Sequence, residues 1–341
     1  TISGVSTFTT TGDGEIALNN TSGHAFTGAV SLNTGTGNAA VVDTSGLDLG
    51  LSTVGGTLSA TAVLGGITDA GVLTITGASA FTTNADGVAI LFNENHAFTG
   101  AVTITTNDSA GSDSDATISA GSSAELKLAA STIDGDLIIT SSHATGISQT
   151  GVLTVGGTSS FTTSAGGADI NLSTSANMFT DTVELNTSGS SGHVTVTTGA
   201  TELDLAASAV GGNLTLTTGH NIIQTGGLVV GGTATFEAPS KEVKLNNAAN
   251  DFQGPINVAS GFKTQITDAN AVELGDIASS KWFYLYARGA VTQTAASAIT
   301  NGSPIMKIHA QSADGNTDYD ITLKNENNVI QNIFDWRGED I

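Results

Sequence analysis

The stretch LDLAASAVGGNLTLTTG, residues 203–219, decides the fold that this sequence predicts. Two short segments in it, LDL and LTLT, alternate apolar and polar residues with a period of two, which is typical of a β-strand with one buried face. The glycine pair at positions 211 and 212 separates the two segments and indicates a corner of the chain. We expect four buried leucines and two exposed polar residues, namely Leu203, Leu205, Leu214 and Leu216 against Asp204 and Thr215.

Relatives of this stretch recur along the chain, as LDLGLSTVGGTLS from residue 47 and LKLAASTIDGDLI from residue 126. A second segment, STFTT around Phe8, returns around Phe81, Phe161 and Phe236 at spacings of 73, 80 and 75 residues. Two further segments, HAFTGAV from His24 and GITDAGVLTITG from residue 66, return in the same order. The chain therefore consists of about four and a half long repeats.

Two architectures use strands as short as these: an array of antiparallel sandwiches and a parallel solenoid whose turns stack. Aromatic residues make up only 5% of the chain, and we find neither the aromatic core nor the linkers of a sandwich array. We therefore predict an all-β fold, a right-handed parallel β-helix (β-solenoid) of roughly 13–18 rungs, each of roughly 19–26 residues, with almost no helix.

The corners and the ends of this solenoid carry further expectations. Glycine or asparagine is expected to supply a positive φ at the corners. Residues 1–295 are predicted to form the regular repeats of about 73–80 residues. Residues 296–341 are predicted to form a divergent continuation of the solenoid, which acts as a cap or a subunit contact.

The formal net charge of −22, from 31 acidic and 9 basic residues, excludes some classes of partner. A polyanion of this strength repels nucleic-acid phosphates and anionic lipid, so we expect no nucleic-acid partner. We expect no membrane insertion, because no apolar run reaches the roughly 18 residues that a membrane-spanning helix needs. Lys127 is the one basic residue before position 240, and the other eight lie from Lys241 to Arg337. Cysteine is absent, which excludes disulfides and thiolate metal sites.

Three stretches, GVLTVGGTSSFTT, LNNAANDFQGPI and LDLAASAVGGNLTLTTG, resemble the repeats of filamentous-haemagglutinin-type adhesins, which are exported by two-partner secretion. The resemblance covers residues 1 to about 295 well and the remainder loosely. It implies a right-handed β-helix on a bacterial surface, within a much longer polypeptide. The secretion domain of such adhesins has no counterpart in these residues, and the last part of the chain departs from the pattern.

Candidates for catalysis or metal binding are few. His24 and His96 hold the same place in successive repeats, too far apart to share a metal ion, so we expect turn-adjacent, partly exposed histidines. Acidic pairs such as Asp134/Asp136 lack the basic neighbours that a polysaccharide-cleaving site would need, so we predict no enzyme. The acidic loop NDSAGSDSDAT, residues 107–117, offers oxygen ligands for Ca²⁺ but lacks the spacing of a calcium-binding loop. We therefore favour a flexible insertion there and expect no cofactor.

The segment KWFYLYARG, from residue 281, is the candidate contact surface. If Phe283 and Leu285 point inward, as Leu214 and Leu216 are expected to, three aromatic residues face outward. They are Trp282, Tyr284 and Tyr286, in the places of Asn213, Thr215 and Thr217. Two interpretations remain open: residues 300–320 fold over these rings and bury them, or the rings form a contact surface for a sugar, a partner or the next subunit.

Together these patterns favour a structural and adhesive stalk segment of a secreted bacterial cell-surface protein, extracellular and non-catalytic. Two alternatives stay open: a self-assembling extracellular filament subunit that stacks head to tail, and a carbohydrate-active β-helix enzyme. Thr1 lies inside a repeat, so we expect an excised or mature piece whose end rungs pair with copies of itself or with further repeats. Surface glycans and host or neighbouring proteins are the other expected partners.

Overall fold

A computed structural model of the chain describes residues 1–20, 24–107, 111, 113–301, 305–330 and 333–337. The chain divides into two compact units, residues Thr1–Asp169 with Asn177–Asp181 and residues Ile170–Ala176 with Thr182–Ile341. Each unit is a parallel β-solenoid, and the chain makes about 14 turns, which confirms the predicted fold class. The described residues contain no helix, so none of them forms a helix long and apolar enough to cross a membrane.

The strands are short and follow one another closely. Strands β1 to β20 are, in order, Ser6–Thr9, Ile16–Leu18, Val30–Asn33, Ala39–Asp43, Leu47–Leu49, Ser52–Val54, Leu58–Ala62, Ile67–Asp69, Leu73–Ile75, Ser79–Thr83, Ile90–Phe98, Val102–Thr105, Ala116–Ala120, Leu126–Leu128, Ser131–Ile133, Leu137–Ser141, Gly146–Gln149, Leu153–Val155, Ser159–Gly166 and Asp169–Phe179. Strands β21 to β37 are Val183–Ser188, Val194–Thr198, Leu203–Leu205, Ser208–Val210, Leu214–Thr218, Ile222–Gln224, Leu228–Val230, Ala234–Glu237, Glu242–Leu245, Asp251–Phe252, Ile256–Asp268, Val272–Ala287, Val291–Gln293, Ile299–Asn301, Ile305–Ala310, Val329–Ile330 and Ile333–Arg337.

Each strand pairs in parallel with the equivalent strand one turn further along. Paired residues lie from 18 positions apart, as for Ile256 and Leu274, to 29 apart, as for Thr300 and Val329. This range is wider than the predicted coil length, because loops at the corners differ in length from turn to turn. Among the described residues, an antiparallel bridge occurs between Gln311 and Asp318.

The core is a narrow stack of inward side chains. In β25 every second residue is buried, so the backbone presents alternate side chains to opposite faces of the sheet. The four leucines expected to be buried are 0–1% exposed, which confirms the predicted strand register. Asp204 and Thr215 point outward but are half-buried rather than exposed, because the neighbouring turns lie only about 4.8 Å away on either side.

Glycines stack at the corners, for a reason that differs from the expected one. Gly37, Gly56 and Gly77 occupy one corner of successive turns, and their backbones are joined by N–H···O bonds of 3.0 and 2.9 Å. A Cβ added to Gly77 would lie 2.5 Å from the carbonyl oxygen of Gly56, so a side chain at this corner would push the turns apart. None of these three has a positive φ. Positive φ occurs at other glycines, such as Gly12 and Gly146, and at no described asparagine.

Asparagine and aspartate side chains support the corners in a different way. The carboxamide oxygen of Asn213 accepts a hydrogen bond from the backbone N–H of Thr233 on the next turn, at 2.9 Å. Asn38 accepts in the same way from Thr57, at 2.9 Å. These contacts satisfy backbone donors that the glycine corner leaves without a strand partner.

The last described turns continue the stack. Strand β35 pairs in register with β32, and β37 pairs with β35. Residues 305–310 therefore form the next turn of the solenoid instead of folding over the aromatic side chains of β32. Residues 302–304 lie outside the described part of the chain.

Candidate functional site

Strand β32 carries the three aromatic residues on its outward face. Phe283 and Leu285 are fully buried, so the strand's alternation directs Trp282, Tyr284 and Tyr286 away from the core. Trp282 is 38% exposed, and the two tyrosines are half-buried between the turns on either side.

The column in which these rings stand differs from the one inferred from the sequence. Along the register, Phe283 stands above Thr264, which stands above Val243, and that column leads back through Ile222 to Leu203. The aromatic residues therefore continue the outward face of β23, and not that of β25 with Asn213, Thr215 and Thr217. Sequence alignment missed this shift because turn lengths vary, whereas both columns share the same period of two.

Basic side chains stand beside the rings on the neighbouring turns. The register pairs Trp282 with Lys263, Tyr284 with Lys307, and Tyr286 with His309. The ammonium nitrogen of Lys263 lies 5.8 Å from the centre of the Trp282 ring, and that of Lys307 lies 5.6 Å from the centre of the Tyr286 ring. Both distances are typical of cation–π contacts. We call the six residues of this surface the basic-aromatic face: Lys263, Trp282, Tyr284, Tyr286, Lys307 and His309.

The rings of the basic-aromatic face are ordered relative to one another. The planes of Trp282 and Tyr284 are 12° apart, with ring centres 6.5 Å apart. The rings of Tyr286 and His309 meet edge to face at 5.1 Å. Beside this pair lies a small recess, which is also lined by Arg288. The arrangement thus combines flat apolar surfaces with several donors to an anion.

Sequence analysis identified the rings of this face but missed its basic residues. Lys263 and Lys307 lie 19 and 25 positions from Trp282 along the chain, at distances that only the register of the turns makes into neighbours. The enrichment of basic residues after position 240 was the signal that could have found them.

Three carboxylates meet in the first unit. Oxygens of Asp86, Asp113 and Asp134 lie within 4.8 Å of one another. Asp113 belongs to the loop considered for Ca²⁺, and residues 108–110 and 112 of that loop lie outside the described residues. Asp134 is buried, and its carboxylate accepts a hydrogen bond from the backbone N–H of Asp113. The group offers three of the roughly six to eight oxygen ligands that Ca²⁺ takes, and we assign no ion to it.

His96 is buried, which corrects the expectation of a partly exposed histidine near a turn. It lies within β11, with its ring between Phe92 and Phe98, and is 0% exposed. Its Nδ1 accepts a hydrogen bond from the backbone N–H of Leu73 at 2.9 Å, and its Nε2 lies 3.2 Å from a carboxylate oxygen of Asp69. Burial lowers the pKa of His96, and the nearby Asp69 carboxylate opposes that shift. His24, by contrast, is half-buried, as expected.

The place of the Asp69–His96 pair is taken by glutamine and asparagine in the other repeats. In each, an asparagine oxygen accepts the backbone N–H that His96 accepts in its own repeat, at 2.9–3.0 Å, and the asparagine is hydrogen-bonded to a glutamine of the preceding turn. The sets are Gln149, Asn177 and Leu153; Gln224, Asn250 and Leu228; and Gln293, Asn328 and Ile299. These pairs satisfy an interior backbone donor, so their role is structural.

Other candidate groups also have structural partners. The carboxylate of Asp136 accepts a hydrogen bond from the backbone N–H of Thr158 at 2.7 Å, as the asparagines do at other corners. Asp268 is fully buried and accepts hydrogen bonds from the backbone N–H groups of Phe252 and Asn270. Burial nevertheless raises the pKa of Asp268 to about 6.

Comparison with known proteins places these features in a repeat family. A family model described as "Repeats of unknown function (DUF5649)" matches four consecutive stretches, residues 36–105, 113–186, 191–259 and 261–335. These stretches cover most of the chain, and the chain therefore belongs to this family. The fourth stretch includes the whole basic-aromatic face. Nothing among curated proteins or solved structures matches the chain.

Proposed function

From membership of this repeat family, we propose that the chain is a structural and adhesive stalk segment of a secreted bacterial cell-surface protein. The finer assignment we propose is to adhesins of the filamentous-haemagglutinin type, exported by two-partner secretion. The observation that supports a stalk is the stacking within each unit. Each turn pairs with the next through its backbone and adds its own inward side chains, so the fold lengthens without a new core.

The outward surface supports an extracellular place for this stalk. Outward positions carry mainly threonine, serine, asparagine and acidic residues, and the net charge is −22. A strongly charged surface keeps repeated domains soluble and apart at high local density. Cysteine is absent, so export into an oxidising environment carries no risk of disulfide scrambling.

Surface labelling of intact producing cells tests the proposed location. Antibodies raised against the purified chain should label unpermeabilised cells, and mild external protease should remove that label. An antibody against a cytosolic protein should label permeabilised cells only, which controls for leakage. Label that appears only after permeabilisation would refute the proposal.

Removal of one period tests the role of the stack as an extendable stalk. Deletion of residues 162–236 joins the segment at Phe161 to the residues that follow Phe236, one period of 75 residues later. Because the removed turns are replaced by equivalent ones, we expect a folded protein that still reaches the cell surface. Circular dichroism and the surface label measure both outcomes. Loss of folding would show that the turns are not interchangeable.

A further inference from the structure

The basic-aromatic face is an exception in the charge distribution of this protein. Before position 240 the sequence has 19 acidic residues and one basic residue, and from that position on it has 12 acidic and eight basic residues. Fixed charges act over only about 8 Å at physiological ionic strength, so a ligand at this face responds to the lysines beside it more than to the net charge. The one acidic residue paired in register with Lys263 is Glu242, on the turn before it.

The rings make this face suited to sugars in particular. A pyranose ring presents an apolar C–H face, which buries area against an exposed aromatic ring. Trp282 and Tyr284 offer two such rings with almost parallel planes, 6.5 Å apart. Because they are carried two positions apart on one strand, their spacing is set by the backbone and is ready before a ligand arrives.

The recess beside the rings supplies a place for an anion. Arg288 and His309 both line it, next to Tyr286. A guanidinium group donates two parallel hydrogen bonds to a carboxylate, and the edge of an imidazole adds a further donor. The recess therefore fits a carboxylate attached to a sugar whose ring lies on the aromatic surface.

We propose that the basic-aromatic face binds an acidic polysaccharide, with sugar rings on Trp282 and Tyr284 and a carboxylate in the recess between Arg288 and His309. This inference rests on the proposed adhesive function and names its ligand class. A nucleic acid is a poorer fit, because its charge density, about one charge per 3.4 Å of each strand, meets stronger repulsion from a protein of net charge −22. A polymer with one carboxylate per sugar meets less.

Binding of the purified chain to immobilised polygalacturonate tests the proposal. We expect binding that weakens as NaCl is raised from about 0.05 to about 0.5 M, because the lysines and Arg288 contribute through charge. Dextran, which is neutral, should not bind. Equal binding to dextran, or tighter binding to a single-stranded oligonucleotide than to polygalacturonate, would overturn the proposal.

Two variants separate the rings from the charges. The triple variant Trp282→Thr, Tyr284→Thr, Tyr286→Thr should weaken binding roughly tenfold or more, as loss of aromatic anchors does elsewhere. Arg288→Gln should weaken binding of polygalacturonate while leaving the circular dichroism spectrum unchanged, which keeps the test valid if the triple variant fails to fold. Lys127→Gln, an outward lysine of the first unit, is the matched control and should bind as the unaltered chain does.

Two results would overturn the proposal without affecting the surface location. In one, the triple variant and Arg288→Gln both bind polygalacturonate as tightly as the unaltered chain. In the other, polygalacturonate does not bind, while sedimentation shows that the unaltered chain self-associates and the triple variant does not. The face would then contact a second copy of the chain. Surface labelling of cells is independent of both results, so failure of the ligand assignment is distinguishable from failure of the stalk proposal.

Discussion

One column of stacked strands in the second unit changes its outward residues from early to late turns while its inward residues keep the same character. Its inward residues are, in order, Leu203, Ile222, Val243, Thr264, Phe283 and Met306. Outward, β23 carries Asp204, whereas β32 carries Tyr284 with Lys307 beside it on the next turn. The stacking thus restricts one face of the strand and leaves the other free to acquire a ligand surface.

This difference follows from the geometry of the turns. An inward side chain is enclosed by its own turn and by the turns above and below, so it must be small enough to fit and apolar, or else hydrogen-bonded. An outward side chain meets only the two residues in register with it. A new binding surface can therefore appear on this fold without any change in the core.

The largest expected effect comes from placing a charge on the inward face. Leu214→Asp buries a carboxylate without a partner in a narrow stack, so we expect the free energy of unfolding to fall by about 3–5 kcal/mol. Thr215→Asp, one position along and outward, should cost less than about 0.5 kcal/mol. Urea unfolding of both variants measures the difference. Equal losses would contradict the distinction between the two faces.

A methyl group at a stacked corner should have the next largest effect. A Cβ at Gly211 would overlap the carbonyl oxygen of Gly189 on the preceding turn, so Gly211→Ala should cost about 2–4 kcal/mol. Gly166→Ala is the matched control, because a Cβ there meets nothing within 4 Å. Thermal unfolding compares the two. A tolerated Gly211→Ala would mean that the corners can separate without loss of pairing.

The buried histidine tests whether inward polar residues obey the same rule. His96→Ala leaves the N–H of Leu73 without an acceptor and opens a cavity beside Phe92, so a loss of about 2–3 kcal/mol is expected. The double variant Asp69→Gln, His96→Asn recreates the pair found in the other repeats and should recover at least half of that loss. Urea midpoints of the variants provide the comparison.

The same pair predicts a pH dependence. Burial lowers the pKa of His96 in the folded state, so the unfolded chain binds more protons and stability is lost as the pH falls below about 6.5. The double variant has no imidazole at this site and should lose less stability between pH 7.5 and 5.5 than the unaltered chain. Identical losses for the two proteins would contradict the assignment of this dependence to His96.

Asp268 predicts a dependence of the opposite sign in the late turns. Its pKa is raised to about 6, so the folded chain holds a proton that the unfolded chain releases near pH 4. Stability should therefore fall as the pH rises from about 4 to 6, by about 2 kcal/mol. Asp268→Asn should flatten this slope, and Glu273→Gln, an exposed neighbour, should leave it unchanged. Unfolding midpoints across this pH range measure both.

The smallest effect on stability is expected where the effect on binding is largest. The rings of Trp282, Tyr284 and Tyr286 lie outside the core, and threonine is a favourable strand residue. Replacing each ring singly with threonine should change the free energy of unfolding by about 0.5 kcal/mol or less. A loss close to that of Leu214→Asp would show that the rings serve the fold, and the two faces would no longer be independent.

The period of two and the repeated segments were sufficient to predict the strands, the parallel stack and the buried leucines. They were insufficient wherever the outcome depends on how long a turn is. Lys263 meets Trp282 because that turn spans 19 residues, and turns elsewhere differ by up to ten residues. His96 was misjudged for a related reason, since β11 runs on as one long strand where a turn was expected. The glycine corners were predicted, but their cause lies in contacts between turns that a single turn does not reveal.

The stacking of turns has a mechanical consequence. Hydrogen bonds between turns run along the stacking direction, whereas the covalent chain runs around it. A pull along that direction in either unit is therefore carried by hydrogen bonds, and the turn nearest the load detaches before the others. Each detached turn frees 18 to 29 residues, or roughly 60–100 Å of extended chain, in place of a rise of about 4.8 Å. Under tension such a solenoid yields stepwise, giving up length while the remaining turns stay folded.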